Sequence, residues 1–234
     1  MKECTGYTLQ NLKKVISTIM MEMKTTDNLN KLHTTGAKMN NAKILIVGAG
    51  GIGSWLCYFL HNLNNVYQLH DVSITVADGD TVEKKNLRYQ KFDIEDITDN
   101  KALCMEAKYG FQGIDKMINT TEDLLPYDCI ISCVDNTSFR RLMFNTCDKT
   151  GKYFIDLRSE GTTIMALTTH KKNDIETLLQ TIPEEIEDAS CQRAFEFEGG
   201  IIQQGNKIIA GIGSQFVLNY IREDRNPAVF SQNF

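Results

Sequence analysis

Three absences narrow the field. Among the seven cysteines no two form a C-x-x-C pair, the nearest being Cys129 and Cys133. The odd count, the lack of a secretion signal and the placement of Cys57, Cys104, Cys129 and Cys133 inside predicted helices or strands indicate reduced, mostly structural thiols in a cytoplasm-like compartment. No segment has the unbroken apolar run of a signal peptide or a membrane span. No basic stripe is present either: the lysine pairs Lys13-Lys14, Lys84-Lys85 and Lys171-Lys172 are scattered, and a net charge of -5 with a pI near 5.4 argues against a dedicated nucleic-acid binder. What remains is 234 residues at 42% hydrophobic content, enough to build the core of one α/β domain.

The densest information lies in residues 43–90. Residues 43–47 form an apolar, β-branched run that reads as a buried parallel strand, and Gly48, Gly50 and Gly53 follow at G-x-G-x-x-G spacing, with Gly51 inside the same turn. Gly48 permits a tight turn, Gly50 lets the backbone approach phosphate oxygens, and Gly53 lets a helix over roughly residues 52–63 pack on the strand. The amides opening that helix would face an anion. A second strand over residues 72–77 ends at Asp78, where a ribose-binding carboxylate belongs. A nicotinamide-dependent dehydrogenase needs no more than this. It has no use for the polar stretch that follows, from Asp80 to Gln90, at the carboxyl edge of the sheet; its alternating charges also suit a solvated loop.

The whole series, GAGGIG followed by D-x-D-T-V-E-x-x-N-L-x-x-Q, resembles the ThiF/MoeB/HesA family, the adenylating fold of ubiquitin-activating enzymes. The resemblance extends to Asp99-Asn100-Lys101, where the family has G-x-x-K, and to Cys133-Val134-Asp135-Asn136-Thr-Ser-Phe-Arg140, matching C-x-D-N-x-x-x-R; it covers about residues 42–222. It implies a Rossmann-like, doubly wound α/β sheet, mostly parallel with antiparallel strands in its C-terminal part. It also implies ATP-dependent adenylation of the C-terminal carboxylate of a small ubiquitin-like (β-grasp) carrier protein or peptide, with release of pyrophosphate.

In that scheme Asp78 accepts from ribose hydroxyls, Lys101 places positive charge on the phosphates, and Asp135 holds magnesium. Asn86 and Gln90 contact the phosphates and their surroundings, and Asp80 completes the nucleotide-binding set. A homodimer is implied too. So is a cysteine after the last strands that takes the carrier tail on sulfur, for which Cys191 is the candidate; the plain alternative is an ordinary half-buried thiol. Many relatives hold zinc with two C-x-x-C pairs, so no zinc is expected here.

One departure stands out. The family pattern N-L-x-R-Q sets arginine directly before the glutamine, whereas this chain reads Asn86-Leu87-Arg88-Tyr89-Gln90. On a helix a one-residue shift turns the side chain by about 100°, so Arg88 reaches the triphosphate by its length, or Lys84, Lys85 or a second subunit takes its task. This keeps a noncatalytic binding module of the same fold alive beside the oxidoreductase.

The remaining segments are placed coarsely. Residues 127–133 read as a strand, 136–150 as a helix ended by Gly151, 152–157 and 162–169 as two strands separated by a turn at Arg158-Ser-Glu-Gly161, and 203–221 as a core-packed helix. Residues 170–200 are expected to form a crossover-type connection with a short helix. Residues 1–41 form an N-terminal extension whose Leu9, Leu12, Val15, Ile16, Ile19, Met20 and Met23 line one helical face, and residues 223–234 are expected as an exposed tail.

Overall fold

Along β1 (Ala42–Val47) successive side chains turn to opposite faces, and both faces are covered. Ile44 and Ile46 join one buried cluster with Leu56, Leu60 and Ile209, while Leu45 and Val47 join another with Met143, Phe144 and Phe154. A strand buried on both sides has no polar face to alternate with, which is why it reads as an unbroken apolar run. Each such side chain contributes about 1.5–3 kcal/mol by leaving water. The computed structural model describes residues 41–67, 72–160, 162–168, 175–182 and 204–234. The N-terminal amphipathic helix, Cys191 and most of the crossover-type connection lie outside them.

β1 sits inside a seven-stranded sheet with β2 (Val72–Ala77), β3 (Gln112–Ile114), β4 (Cys129–Ser132), β5 (Tyr153–Glu160), β6 (Thr163–Leu167) and β7 (Val229–Asn233), in the order β3-β2-β1-β4-β5-β6-β7. β1 to β5 pair in parallel and β6 and β7 add antiparallel. Helices α1 (Gly53–Tyr67), α2 (Lys101–Tyr109) and α6 (Gly205–Ile221) contribute to the first cluster; α3 (Thr121–Leu124), α4 (Thr137–Thr150) and α5 (Ile175–Gln180) contribute to the second. The expected doubly wound α/β fold is therefore present. Two of its helices end as the sequence dictates, α2 on Gly110 and α4 on Gly151, each with left-handed φ and its N–H returned to the last turn. No helix among the described residues is long and apolar enough to cross a membrane.

Two boundaries differ from the sequence reading. The turn expected at Arg158-Ser-Glu-Gly161 is shorter, because Arg158 pairs with Met165 and Glu160 with Thr163 in an antiparallel hairpin, so the strand runs on through Glu160. Residues 223–234 are not a free tail: Val229–Asn233 pairs with β6 along its whole length, and its exposed Ser231, Gln232 and Asn233 gave it a polar appearance that suits an edge strand.

The five described cysteines, Cys57, Cys104, Cys129, Cys133 and Cys147, are buried and form no disulfide with one another. Burial pushes the Cys104 thiol up to about 11 and that of Cys147 to about 12, and raises Cys57 and Cys129 as well. They are packing residues, as their positions in strands and helices led one to expect.

Strand order fixes where a ligand can bind. From β1 the chain winds outward to β2 and β3, then returns to β4 on the other side of β1. The crevice beyond the carboxyl ends of β1 and β4 is the switch point of the sheet.

Candidate functional site

The glycines of residues 48–53 answer to different neighbours. Gly48 has φ 92°, and a Cβ there would lie 2.6 Å from Val134 Cγ1; a Cβ on Gly53 would stand 1.8 Å from the carbonyl oxygen of Gly48. Both are demanded by the chain's own packing. A Cβ on Gly51 would meet Asn206 Nδ2 at 2.5 Å. Only Gly50 faces open space, with Gln90 Nε2 at 3.9 Å as its nearest neighbour. It is the position at which a ligand can approach the backbone.

Asp78, 8% exposed at the end of β2, closes this turn from the side. Its Oδ2 accepts from Ala49 N–H at 2.7 Å and its Oδ1 from Asp80 N–H at 2.9 Å. Burial raises its pKa above the ordinary 3.8, and the two backbone donors and the Lys101 charge oppose that rise. Asn100 holds the neighbouring loops: its Nδ2 donates to the carbonyls of Asp78 and Asp80 and to Asp115, while its Oδ1 caps α2 at Ala102 and Leu103. That cap delivers Lys101, the first residue of α2, whose Nζ lies 2.9 Å from Asp80 Oδ2.

The segment between β2 and α2 is stitched onto the start of α1. Ser54 Oγ accepts from Lys91 N–H at 2.9 Å and donates to Gly50 O at 2.7 Å, and Trp55 Nε1 donates to Tyr89 O at 2.9 Å. This brings the buried Gln90 to Gly50, with its Oε1 lacking any hydrogen-bond partner among the described residues. Asn86 is used differently: buried in the short helix Lys84–Arg88, it accepts from Glu83 N–H through Oδ1 at 2.8 Å and shapes the turn. Arg88 is exposed and has no ion pair among the described residues, whereas the Tyr89 ring lies 3.6 Å from the place of a Cβ on Gly51. Tyrosine, not the displaced arginine, covers the glycine turn.

Across the crevice, Asp135 follows β4, exposed and with no partner for its carboxylate among the described residues. Its loop is held from behind by Arg140, which donates to Val134 O at 2.5 Å and Asp135 O at 3.5 Å, and to Asp156 Oδ1 at 3.2 Å. Asp156, fully buried in β5, also accepts from Arg158 Nε at 2.7 Å, and Arg158 reaches on to Thr181 O and Oγ1 at 2.7 and 3.0 Å. Burial alone would raise the Asp156 pKa, but Arg158 and Arg140 together hold it below the ordinary 3.8.

The structure thus gathers Gly48, Gly50, Gly51, Gly53, Asp78, Asp80, Gln90 and Lys101 on one side of the crevice and sets Asp135 at its other side. It does not bring in Arg88. Asp156 and Arg158 were missed by reading the sequence; the signal was an acid set among Phe154, Ile155 and Leu157 in a run otherwise fit for a buried strand. Among the described residues no cluster of three or more His, Cys, Asp or Glu side chains could by itself hold a metal ion.

The model of the ThiF family matches residues 26–234. Among curated proteins, the chain is similar to the adenylyltransferase and sulfurtransferase UBA4 of Lodderomyces elongisporus, 27% identical over 139 residues, a match that takes in 53% of this chain and 29% of the relative. The protein of the same description from Aspergillus niger is 31% identical over 140 residues, covering 53% and 27%. The chain matches less than a third of the length of either relative. Among solved structures, Escherichia coli MccB with ATP has a TM-score of 0.57 at 18% identity, over 83% of this chain and 64% of that one. PaaA has a TM-score of 0.61 at 14% identity, over 100% and 75%. Likeness at such identities establishes the architecture alone.

Proposed function

The chain belongs to the ThiF family, and on that footing we propose that it is an ATP-dependent adenylyltransferase acting on the C-terminal carboxylate of a small ubiquitin-like carrier protein or peptide. The observation that carries the reading is the convergence at the switch point: an open Gly50, a buried Asp78 tied to Ala49 at 2.7 Å, and a buried lysine, Lys101, held beside that acid with its Nζ 2.9 Å from Asp80. A dehydrogenase would explain the first two and leave Lys101 without a task.

The roles follow from placement. The triphosphate lies over the amides that open α1, whose first turn has no intrahelical acceptors for them. Asp78 accepts from ribose hydroxyls. A carboxylate oxygen of the acyl substrate attacks the α-phosphorus, the bond to the bridging oxygen breaks, and its electron pair departs with pyrophosphate. Lys101 faces the charge that builds on that leaving group. Asp135 would hold magnesium, and its unpartnered, exposed carboxylate suits an ion that takes its other ligands from phosphate and water. Magnesium when bound supplies charge neutralisation of the phosphates.

The same proposal includes a homodimer and, as a later step, attack of the Cys191 thiolate on the acyl carbon of the adenylate, which forms a thioester as the bond to the phosphate oxygen breaks and AMP departs. One observation favours a second reading, a noncatalytic module that binds a carrier: Tyr89 stands where the family's arginine is expected, and Arg88 is exposed with no ion pair among the described residues. Pyrophosphate exchange into ATP, assayed with candidate carriers ending in Gly-Gly and with short peptides, separates the two. Exchange that disappears in Asp135→Ala is the expected result; ATP binding without exchange for every candidate would establish the module instead.

A further inference from the structure

Asn206, the second residue of α6, is 2% exposed, and neither its Nδ2 nor its Oδ1 has a hydrogen-bond partner among the described residues. A buried polar group left unpaired costs about 1–3 kcal/mol, and native folds rarely tolerate two on one side chain. The position is not accidental. Gly205 packs on β5, where a Cβ would lie 2.5 Å from Ser159 Oγ, and this sets the Asn206 amide against Gly51, with Nδ2 2.5 Å from the place of a Cβ there. By the adjacent glycine, Gly50, stands Gln90, whose buried Oε1 likewise has no partner among the described residues.

Two helix N-termini therefore meet at the glycine turn, those of α1, 15 residues long, and α6, 17 residues long. Both present positive dipole ends there. Lys207, in the first turn of α6 with Nζ 4.8 Å from the centre of the Trp55 ring, adds a full positive charge where a helix dipole disfavours one. An anion at this point would satisfy all of these features together.

We propose that Asn206 is a nucleotide-contacting residue: its amide reaches over Gly51 to the phosphate end of bound ATP, supplying with Gln90 a neutral contact in the place where Tyr89 has displaced a cationic one. Nδ2–H donates to a phosphate oxygen, and Oδ1 accepts from a hydroxyl or water that the nucleotide carries with it. A nucleotide meets both needs because it presents acceptors and donors side by side. The inference rests on the nucleotide reading of the site given above.

Calorimetric titration of the full chain with ATP and magnesium tests it. Asn206→Leu is expected to weaken ATP binding by about tenfold, the loss of one charge-assisted hydrogen bond. The same substitution should raise the ligand-free Tm by about 2–4 °C, because an unpaired amide has been removed from the interior. A merely structural asparagine would do the reverse, lowering Tm and leaving ATP affinity untouched. Should the leucine variant fail to fold beside Gly51, Asn206→Ala adds no bulk and its ATP affinity decides. Affinity unchanged from wild type overturns the assignment of Asn206 while leaving the adenylyltransferase reading intact. A wild-type chain that does not bind ATP overturns both.

Discussion

Lys101 and Asp80 form an ion pair at 2.9 Å in which the lysine side chain is 10% exposed and the carboxylate 59% exposed. The pair is lopsided: Asp80 is well solvated and gains little from the contact, so a pair of this kind contributes at most about 1 kcal/mol. Phosphates arriving over α1 can take the lysine from it. Lys101→Met should therefore lower pyrophosphate exchange by about 10²–10³-fold while changing Tm little. Full exchange in that variant would remove Lys101 from the site. Asp80→Asn, which removes a competitor for the ammonium, should bind ATP no more weakly than wild type.

Asp156 makes stability depend on acid. Its folded pKa lies below the ordinary 3.8 because Arg158 and Arg140 outweigh its burial. A carboxyl depressed in this way stabilises the fold at pH above its unfolded value and loses that contribution as pH falls through the folded one. The contribution is complete at neutral pH and is withdrawn below about pH 4. Asp156→Asn leaves two guanidinium groups without their anion and should cost about 3–5 kcal/mol at pH 7. Urea unfolding at pH 7 and pH 3 should show the gap between variant and wild type narrowing at the lower pH. An equal gap at both would mean that charge is not what Asp156 supplies.

Thr98 holds φ 81°, a left-handed conformation that β-branched residues rarely adopt. Its N–H is bound to Val82 O at 2.9 Å, which keeps the loop in that shape just ahead of Lys101. The family's G-x-x-K, counted back from Lys101, puts glycine at this position. Relief of the strain exceeds the entropic penalty of glycine, so Thr98→Gly should gain about 1 kcal/mol. Thermal unfolding checks it; a lower Tm would show that the threonine side chain holds the loop.

The thiols predict a labelling pattern. Five of the seven cysteines are buried thiols, and burial raises the pKa of Cys57, Cys104, Cys129 and Cys147. Native protein treated with iodoacetamide at pH 8 should be spared at Cys57, Cys104, Cys129, Cys133 and Cys147, with all seven cysteines reacting in denaturant. Rapid native labelling at Cys104 or Cys147 would contradict the burial.

Much of the sheet was legible because its central strands are buried on both faces. Residues 43–47, with Ile44, Leu45, Ile46 and Val47 in succession, and residues 127–133, built on Ile130 and Ile131, are apolar runs that suit such strands, and Gly48 and Gly53 announced turns that the backbone indeed requires. β7 was not legible, since Ser231, Gln232 and Asn233 carry the exposed face of an edge strand and look like a tail. Motif spacing brought Asp78, Lys101 and Asp135 to the right edge of the sheet. It said nothing of Asn206, which lies 155 residues beyond Gly51 in number and meets it only through the packing of α6 on β5. Nor could it show that Asn86 turns its oxygen inward to Glu83 N–H. Side-chain direction within a short helix is decided by caps and neighbours, not by residue type.

Arg140, Asp156 and Arg158 bind one another through a single buried carboxylate, and the two arginines are anchored elsewhere as well, Arg140 at the Asp135 loop and Arg158 at Thr181. Losing the carboxylate strands two guanidinium groups in the interior, and losing either arginine takes the donor from one of its buried oxygens, so no single step away from the trio passes through a sound intermediate. Across descendants of this chain the three positions should be inherited as a block, kept together or exchanged together, and a lineage with one of them altered alone should carry a compensating change within reach of the other two.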